Sequence, residues 1–130
     1  MEPIAWNESM SVGIDEIDTQ HMQLVKMLNN LNEAMEAGET KKALGRIISD
    51  LMDYAQIHFG TEERFFTRYD FSEKEDHVKE HIDFIGKVFE FKRDFDENRV
   101  GLSEDVMIFL SQWLVNHIKG SDMKYKGLFA

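Results

Sequence analysis

The chain predicts an all-α fold: an antiparallel up-down-up-down four-helix bundle with an N-terminal arm packed along it. Three observations predict it. Apolar residues recur three and four apart through four successive stretches, and none shows the strict alternation of a half-buried strand. The one proline is Pro3, so nothing beyond it except glycine interrupts a helix. The stretches are joined by a few residues each, which suits antiparallel neighbours crossing at about 20°.

Residues 1–17 read as the arm. It carries Ile4, Trp6, Met10, Val12, Ile14 and Ile17, which need cover, and Trp6 is its packing anchor. The first helix spans about 18–37, with the stripe His21, Leu24, Leu28, Leu31, Met35 and a stop at Gly38. The second spans about 40–69, with Leu44, Ile47, Leu51, Ala55, His58, Glu62, Phe65 and Tyr69 on one face. Gly45 and Gly60 each lower its propensity by about 1 kcal/mol, so packing must hold it. The third spans about 72–98 and opens on a capping box, Ser72 with Glu75; its stripe is His77, His81, Phe84, Val88, Phe91, Phe95. The fourth spans about 103–120, with Val106, Leu110, Trp113 and His117. Gly120 loosens its end, and Asp122 falls in the last turn or just past it, ahead of a C-terminal segment 121–130.

Length and composition bound the function. At 130 residues the chain is one domain with room for a real core. A net charge of −10 argues against nucleic acid and anionic membrane as partners, which need Lys/Arg patches. With no cysteine, thiolate zinc sites, iron–sulfur clusters and covalent haem attachment drop out. No leader is expected at the N-terminus and no run is long and apolar enough to span a membrane, so a cytoplasmic protein, monomeric rather than assembled, is expected.

All five histidines, His21, His58, His77, His81 and His117, fall on the apolar stripes. A stripe covers about 3/7 of positions, so chance would place all five there on the order of once in seventy. A lone histidine on such a stripe is usually a hydrogen-bonded core residue; five are not. His58 pairs with Glu62 and His77 with His81 at i,i+4, and Asp122 follows His117 by five. Residues four apart share a face one turn apart and can reach one small volume. Up-down alternation brings all four ligand-bearing segments to the same end of the bundle. Burying these groups unpaired would cost several kcal/mol each, which a bound metal offsets.

Seven candidate ligands exceed one ion's needs and suit two, with the carboxylates bridging. Imidazole and carboxylate accept iron, zinc, copper or manganese. Zinc prefers a closed set of four, so the shared seven favour iron. The Glu-x-x-His motifs of ferritin-like di-iron enzymes are missing. Neutral imidazoles outnumber carboxylates, which stabilises high oxidation states less and favours holding dioxygen reversibly over cleaving it.

These residues carry a family resemblance. The stretch Trp6–Ile14 with Ile17-Asp18-Thr19-Gln20-His21, then His58-Phe59-Gly60-Thr61-Glu62-Glu63, His77-Val78-Lys79-Glu80-His81 and Trp113-Leu114-Val115-Asn116-His117-Ile118, with Asp122 and Tyr125, resembles the single-domain bacterial members of the hemerythrin family over almost the whole chain. Ser72 departs from the proline many relatives place before the third helix; both residues start helices. The resemblance implies two iron ions (Fe2+/Fe3+) with an oxo or hydroxo bridge. His77, His81 and His117 would hold one, His21 and His58 the other, with Glu62 and Asp122 bridging. Dioxygen would be the ligand at the five-coordinate iron, and Leu24, Trp113 and Ile118 would wall its pocket and exclude water. Glu63 reads as an exposed or ligand-supporting charge, and the methionines as gap-fillers.

The expected function is reversible dioxygen binding at a non-haem di-iron centre. It would serve storage, or delivery to an oxygen-consuming enzyme such as a membrane-bound oxygenase or oxidase. This is a carrier, not an enzyme. The rivals are a dioxygen or redox sensor acting on a separate partner, and a ferroxidase or a scavenger of peroxide or nitric oxide.

Overall fold

The computed structural model describes residues 4–128. The first three residues of the expected arm and the last two of the C-terminal segment lie outside the described residues. Four α-helices form the bundle: α1 Asp15–Ala37, α2 Thr40–Tyr69, α3 Lys74–Asp96 and α4 Leu102–Trp113. A 3₁₀ turn, Glu8–Met10, precedes them; a π-helical segment, Leu114–Ser121, and a 3₁₀ turn, Asp122–Tyr125, follow. No strand occurs among the described residues.

The stripes read from sequence make the core. Leu24, Leu28, Leu31, Leu44, Ile47, Leu51, Phe84, Val88, Phe91, Val106 and Leu110 lie in one buried cluster. In α2 and α3 two expectations shift. In α2 it is Phe66 that is fully buried, while Phe65 is half-buried. The reason is what lies opposite: Phe71, His77 and Tyr125 pack their rings around Phe66. The capping box at Ser72 does not form, and α3 starts at Lys74 with no side-chain cap. Phe71 is drawn into a second apolar cluster with Val12, Ile17, Phe66 and Tyr125, and its carbonyl accepts the Lys74 N–H at 3.1 Å. That turn delays the helix past Ser72.

The helix α1 starts three residues earlier than expected. Asp18 is not its boundary but a clamp on the arm. Its carboxylate accepts the Val12 N–H at 2.8 Å and the Ser11 hydroxyl at 2.6 Å. Further up, Asn29 exchanges two hydrogen bonds of 2.8 Å with the Ile4 backbone. With Met10 and Val12 buried, the described part of the arm is fixed along the bundle. The helix ends where Gly38 takes φ +74°, a left-handed turn that a side chain would strain.

The largest departure is at the end of α4. The chain does not fray at Gly120 but continues as a π-helix. The Asp122 N–H donates to the His117 carbonyl, five residues back. In an α-helix residues five apart point about 140° apart. In the π geometry they stack, which turns His117 and Asp122 to one face.

Candidate metal centre

Seven side chains meet at one end of the bundle. His21 comes from the second turn of α1, His58 and Glu62 from late α2, His77 and His81 from early α3. His117 comes from the π segment and Asp122 from the turn after it. Each is at most 3% exposed. The i,i+4 spacing in α2 and α3 and the i,i+5 spacing in the π segment aim each pair inward.

The separations are those of ligands around shared ions. Atoms about 2.1 Å from one ion and at right angles to each other lie about 3 Å apart. Here Asp122 Oδ1 lies 2.8 Å from His77 Nε2 and 3.1 Å from His117 Nε2, while its Oδ2 lies 2.9 Å from His21 Nε2. One carboxylate thus divides its oxygens between two groups of imidazoles. Glu62 Oε1 lies 3.1 Å from His58 Nε2 and 3.0 Å from His81 Nε2. The Nε2 atoms of His21 and His58 are 3.1 Å apart. Two groups of four result, Glu62–His77–His81–His117 and His21–His58–Glu62–Asp122, each with its donor atoms within 4.8 Å of one another.

Neighbours set which ring nitrogen faces inward. The Nδ1–H of His58 donates to Gln20 Oε1 at 2.7 Å, that of His81 to Glu63 Oε2 at 3.2 Å, and that of His117 to Glu80 Oε1 at 2.9 Å. Those oxygens only accept, so each Nδ1 carries a proton and each Nε2 is the nitrogen turned to the centre, its lone pair the one a metal would take in place of a proton. Gln20 is held in turn by Thr61 at 3.1 Å, and Glu80 by the Ser121 hydroxyl at 2.8 Å. The Tyr125 hydroxyl donates to Glu62 Oε2. The site residue Glu63 does support a ligand-type histidine, as one of its two expected roles had it. Gln20, Glu80, Thr61, Ser121 and the role of Tyr125 were not legible. Gln20 abuts His21 yet serves His58, and Glu80 abuts His81 yet serves His117, so neighbourhood in sequence points to the wrong partner.

Charge in the centre is balanced between the two residue types. Burial alone lowers the His77 imidazole, but Asp122 and Glu62 outweigh it and raise its pKa to about 10. Burial likewise opposes His117, and Asp122 with Glu80 raises it to about 9. His58 goes the other way, because its burial outweighs Glu62. Burial would raise both carboxylates, yet the histidines around them hold Glu62 well below the usual range and lower Asp122 as well.

A fit test for metal comes from hydrogen bonding. Nε2 of His77, His81 and His117, both Asp122 oxygens and Glu62 Oε1 are buried without a hydrogen bond of acceptable geometry, though they crowd one another. Buried polar atoms are almost always satisfied. Six unsatisfied donor atoms converging on one place match a metal's demand for lone pairs.

Aromatic rings pack the imidazoles. Phe59 stacks on His81 at 3.8 Å, Trp113 on His117 at 3.9 Å and Tyr54 on His58 at 5.1 Å between centroids. Leu24, Trp113 and Ile118 are all buried. Leu24 follows His21 by one turn and Trp113 precedes His117 by one turn, while Ile118 is the next residue after His117.

Comparison with known proteins agrees with this geometry. The family model described as the hemerythrin HHE cation binding domain matches residues 12–129. A hemerythrin-like protein of Naegleria gruberi is 35% identical over 97% of this chain and 93% of its own length. A bacteriohemerythrin of Stenotrophomonas maltophilia is 33% identical, covering 96% of this chain and 80% of its own. A myohemerythrin of Riftia pachyptila is 34% identical over 96% and 92%. A crystal structure of a hemerythrin mutant superposes with a TM-score of 0.87 at 25% identity, covering both chains fully.

Proposed function

Since the chain belongs to the hemerythrin family, we propose that its centre holds two iron ions sharing an oxo or hydroxo bridge and binds dioxygen reversibly. The protein would store dioxygen or deliver it to an oxygen-consuming enzyme, acting as a carrier and not as a catalyst. His77, His81 and His117 would hold one ion and His21 and His58 the other, with Glu62 and Asp122 available to both. When bound, the iron pair supplies two electrons and one coordination position open to dioxygen.

The observation that supports this reading best is the split of imidazoles, three against two, about two buried carboxylates, Glu62 common to both groups and Asp122 with one oxygen near each. With two imidazoles against three, the His21–His58 side would be the one left open to an outside ligand. The protein's own groups do the rest. Gln20, Glu63 and Glu80 fix the ring orientations of His58, His81 and His117, so the ligand set needs no rearrangement as charge on the centre changes. Tyr125 pins the second oxygen of Glu62. Leu24, Trp113 and Ile118 are apolar cover that keeps water away, which slows loss of charged oxygen species and the oxidation that would follow.

The test is cycling. Protein loaded with ferrous iron without air is exposed to air and then swept with inert gas. The visible charge-transfer bands should appear and bleach over repeated cycles. Irreversible conversion on first exposure contradicts carriage.

A further inference from the structure

We propose that Tyr54 is a recognition residue of this centre, its phenolic O–H donating a hydrogen bond to the small electronegative ligand held beside the His21–His58 pair. The inference rests on the di-iron reading above and adds a residue and a chemical preference to it.

Four side chains, one from each helix, form the layer next to the seven ligands on the bundle's interior side. Leu24 is one turn after His21, Tyr54 one turn before His58, Phe84 one turn after His81 and Trp113 one turn before His117. Tyr54 and Trp113 bring the only polar groups in that layer. Both are buried, and neither the Tyr54 hydroxyl nor the Trp113 N–H has a hydrogen-bond partner among the described residues.

The two are not equivalent. Trp113 stacks on His117, on the side that already has three imidazoles. Tyr54 stacks on His58 with the ring planes 17° apart, on the side with two. Its ring is also held edge-on by Phe59 at 6.2 Å and Phe84 at 6.3 Å. Phenylalanine would make those ring contacts as well. The hydroxyl is therefore the one part of Tyr54 that packing does not use, and it is buried at a loss. Tyr125 shows the contrast, since its hydroxyl is already engaged by Glu62. A phenol at neutral pH is a donor, so the ligand it recognises offers an acceptor atom: dioxygen as it gains charge, or a small anion.

Azide on the oxidised, iron-loaded full chain is the probe. Tyr54→Phe should weaken azide binding about tenfold, the loss of one hydrogen bond to a charged ligand. The azide stretching frequency of the unaltered protein should shift on transfer to heavy water, and the variant should lose that shift. The metal-free variant should melt at or above the temperature of the metal-free parent, since an unsatisfied group has been removed. Equal azide affinity in parent and variant, or no heavy-water shift in the parent, overturns the inference alone. So does a metal-free variant that melts well below its parent, which would make the hydroxyl a packing element. A parent that takes up two irons yet binds no azide overturns the open-position reading and this inference with it.

Discussion

The two ends of the bundle are built on opposite terms. Away from the centre, Leu28, Leu31, Ile48, Leu51, Val88 and Phe91 are each at most 1% exposed and pack apolar against apolar. At the other end five imidazoles and two carboxylates are equally buried and leave six donor atoms without proper hydrogen bonds. Burial is the same at both ends, and its consequence is opposite. The apolar end supplies stability through area removed from water. The polar end costs stability through buried charge, which attraction between its own imidazoles and carboxylates offsets only in part, so the first must carry the second until metal arrives.

The strongest way to break this contrast is at Asp122. Its two oxygens serve both imidazole groups, and it helps raise His77 and His117. Asp122→Ala should drop iron to one atom per chain or fewer by elemental analysis. In the metal-free variant both imidazoles should titrate at lower pH by NMR.

Leu51→Ala probes the other end. It removes a fully buried side chain and should cost about 2–5 kcal/mol in chemical denaturation. Iron stoichiometry in the folded fraction should not change. Loss of iron at full stability would mean the two ends are not separable.

The metal-free protein should show the contrast through pH. His77 and His117 are raised above their ordinary value of 6.5, so their contribution is complete below pH 6.5 and is lost as pH climbs toward about 9 and 10. Glu62 and Asp122 are lowered from ordinary values of 4.5 and 3.8, so theirs is present above those values and lost on acidification. His58, lowered by burial, works against the fold as pH drops below 6.5, so thermal melts should peak near pH 6.5, at the upper end of the range that opens above the carboxylates' 4.5. Iron-loaded protein should not share the alkaline decline, because metal holds the imidazoles unprotonated; acid should strip the metal instead.

The smallest effect is expected at Gly60, on the outer face of α2. A Cβ there meets no heavy atom within 4 Å. Gly60→Ala should raise stability by about 1 kcal/mol with unchanged iron content. Gly45→Ala is its foil, because a Cβ there would sit 2.8 Å from Phe95 Cζ and force that ring to move.

The same contrast explains what could be read in the sequence. Helices α1 to α3 were legible because apolar periodicity is local, and histidines on an apolar stripe stand out from it. Gly38 ended α1 as expected because its left-handed φ is a local demand. The π segment was not legible. Nothing in Leu114–Ser121 disfavours an ordinary helix strongly; the geometry follows from stacking Trp113 on His117 while also bringing Asp122 to the centre. The absent cap at Ser72 failed for a similar reason, since Phe71 is held by Phe66 and Tyr125 from elsewhere in the chain. Partners such as Gln20 for His58 and Glu80 for His117 are long-range pairings that no spacing announces.

The most direct measurement is metal content of the unaltered chain, loaded anaerobically with ferrous iron and freed of loose metal. Two tightly held irons per chain, magnetically coupled after oxidation, is the predicted result. A single iron at saturation would contradict a centre in which Glu62 and Asp122 are shared between two ions.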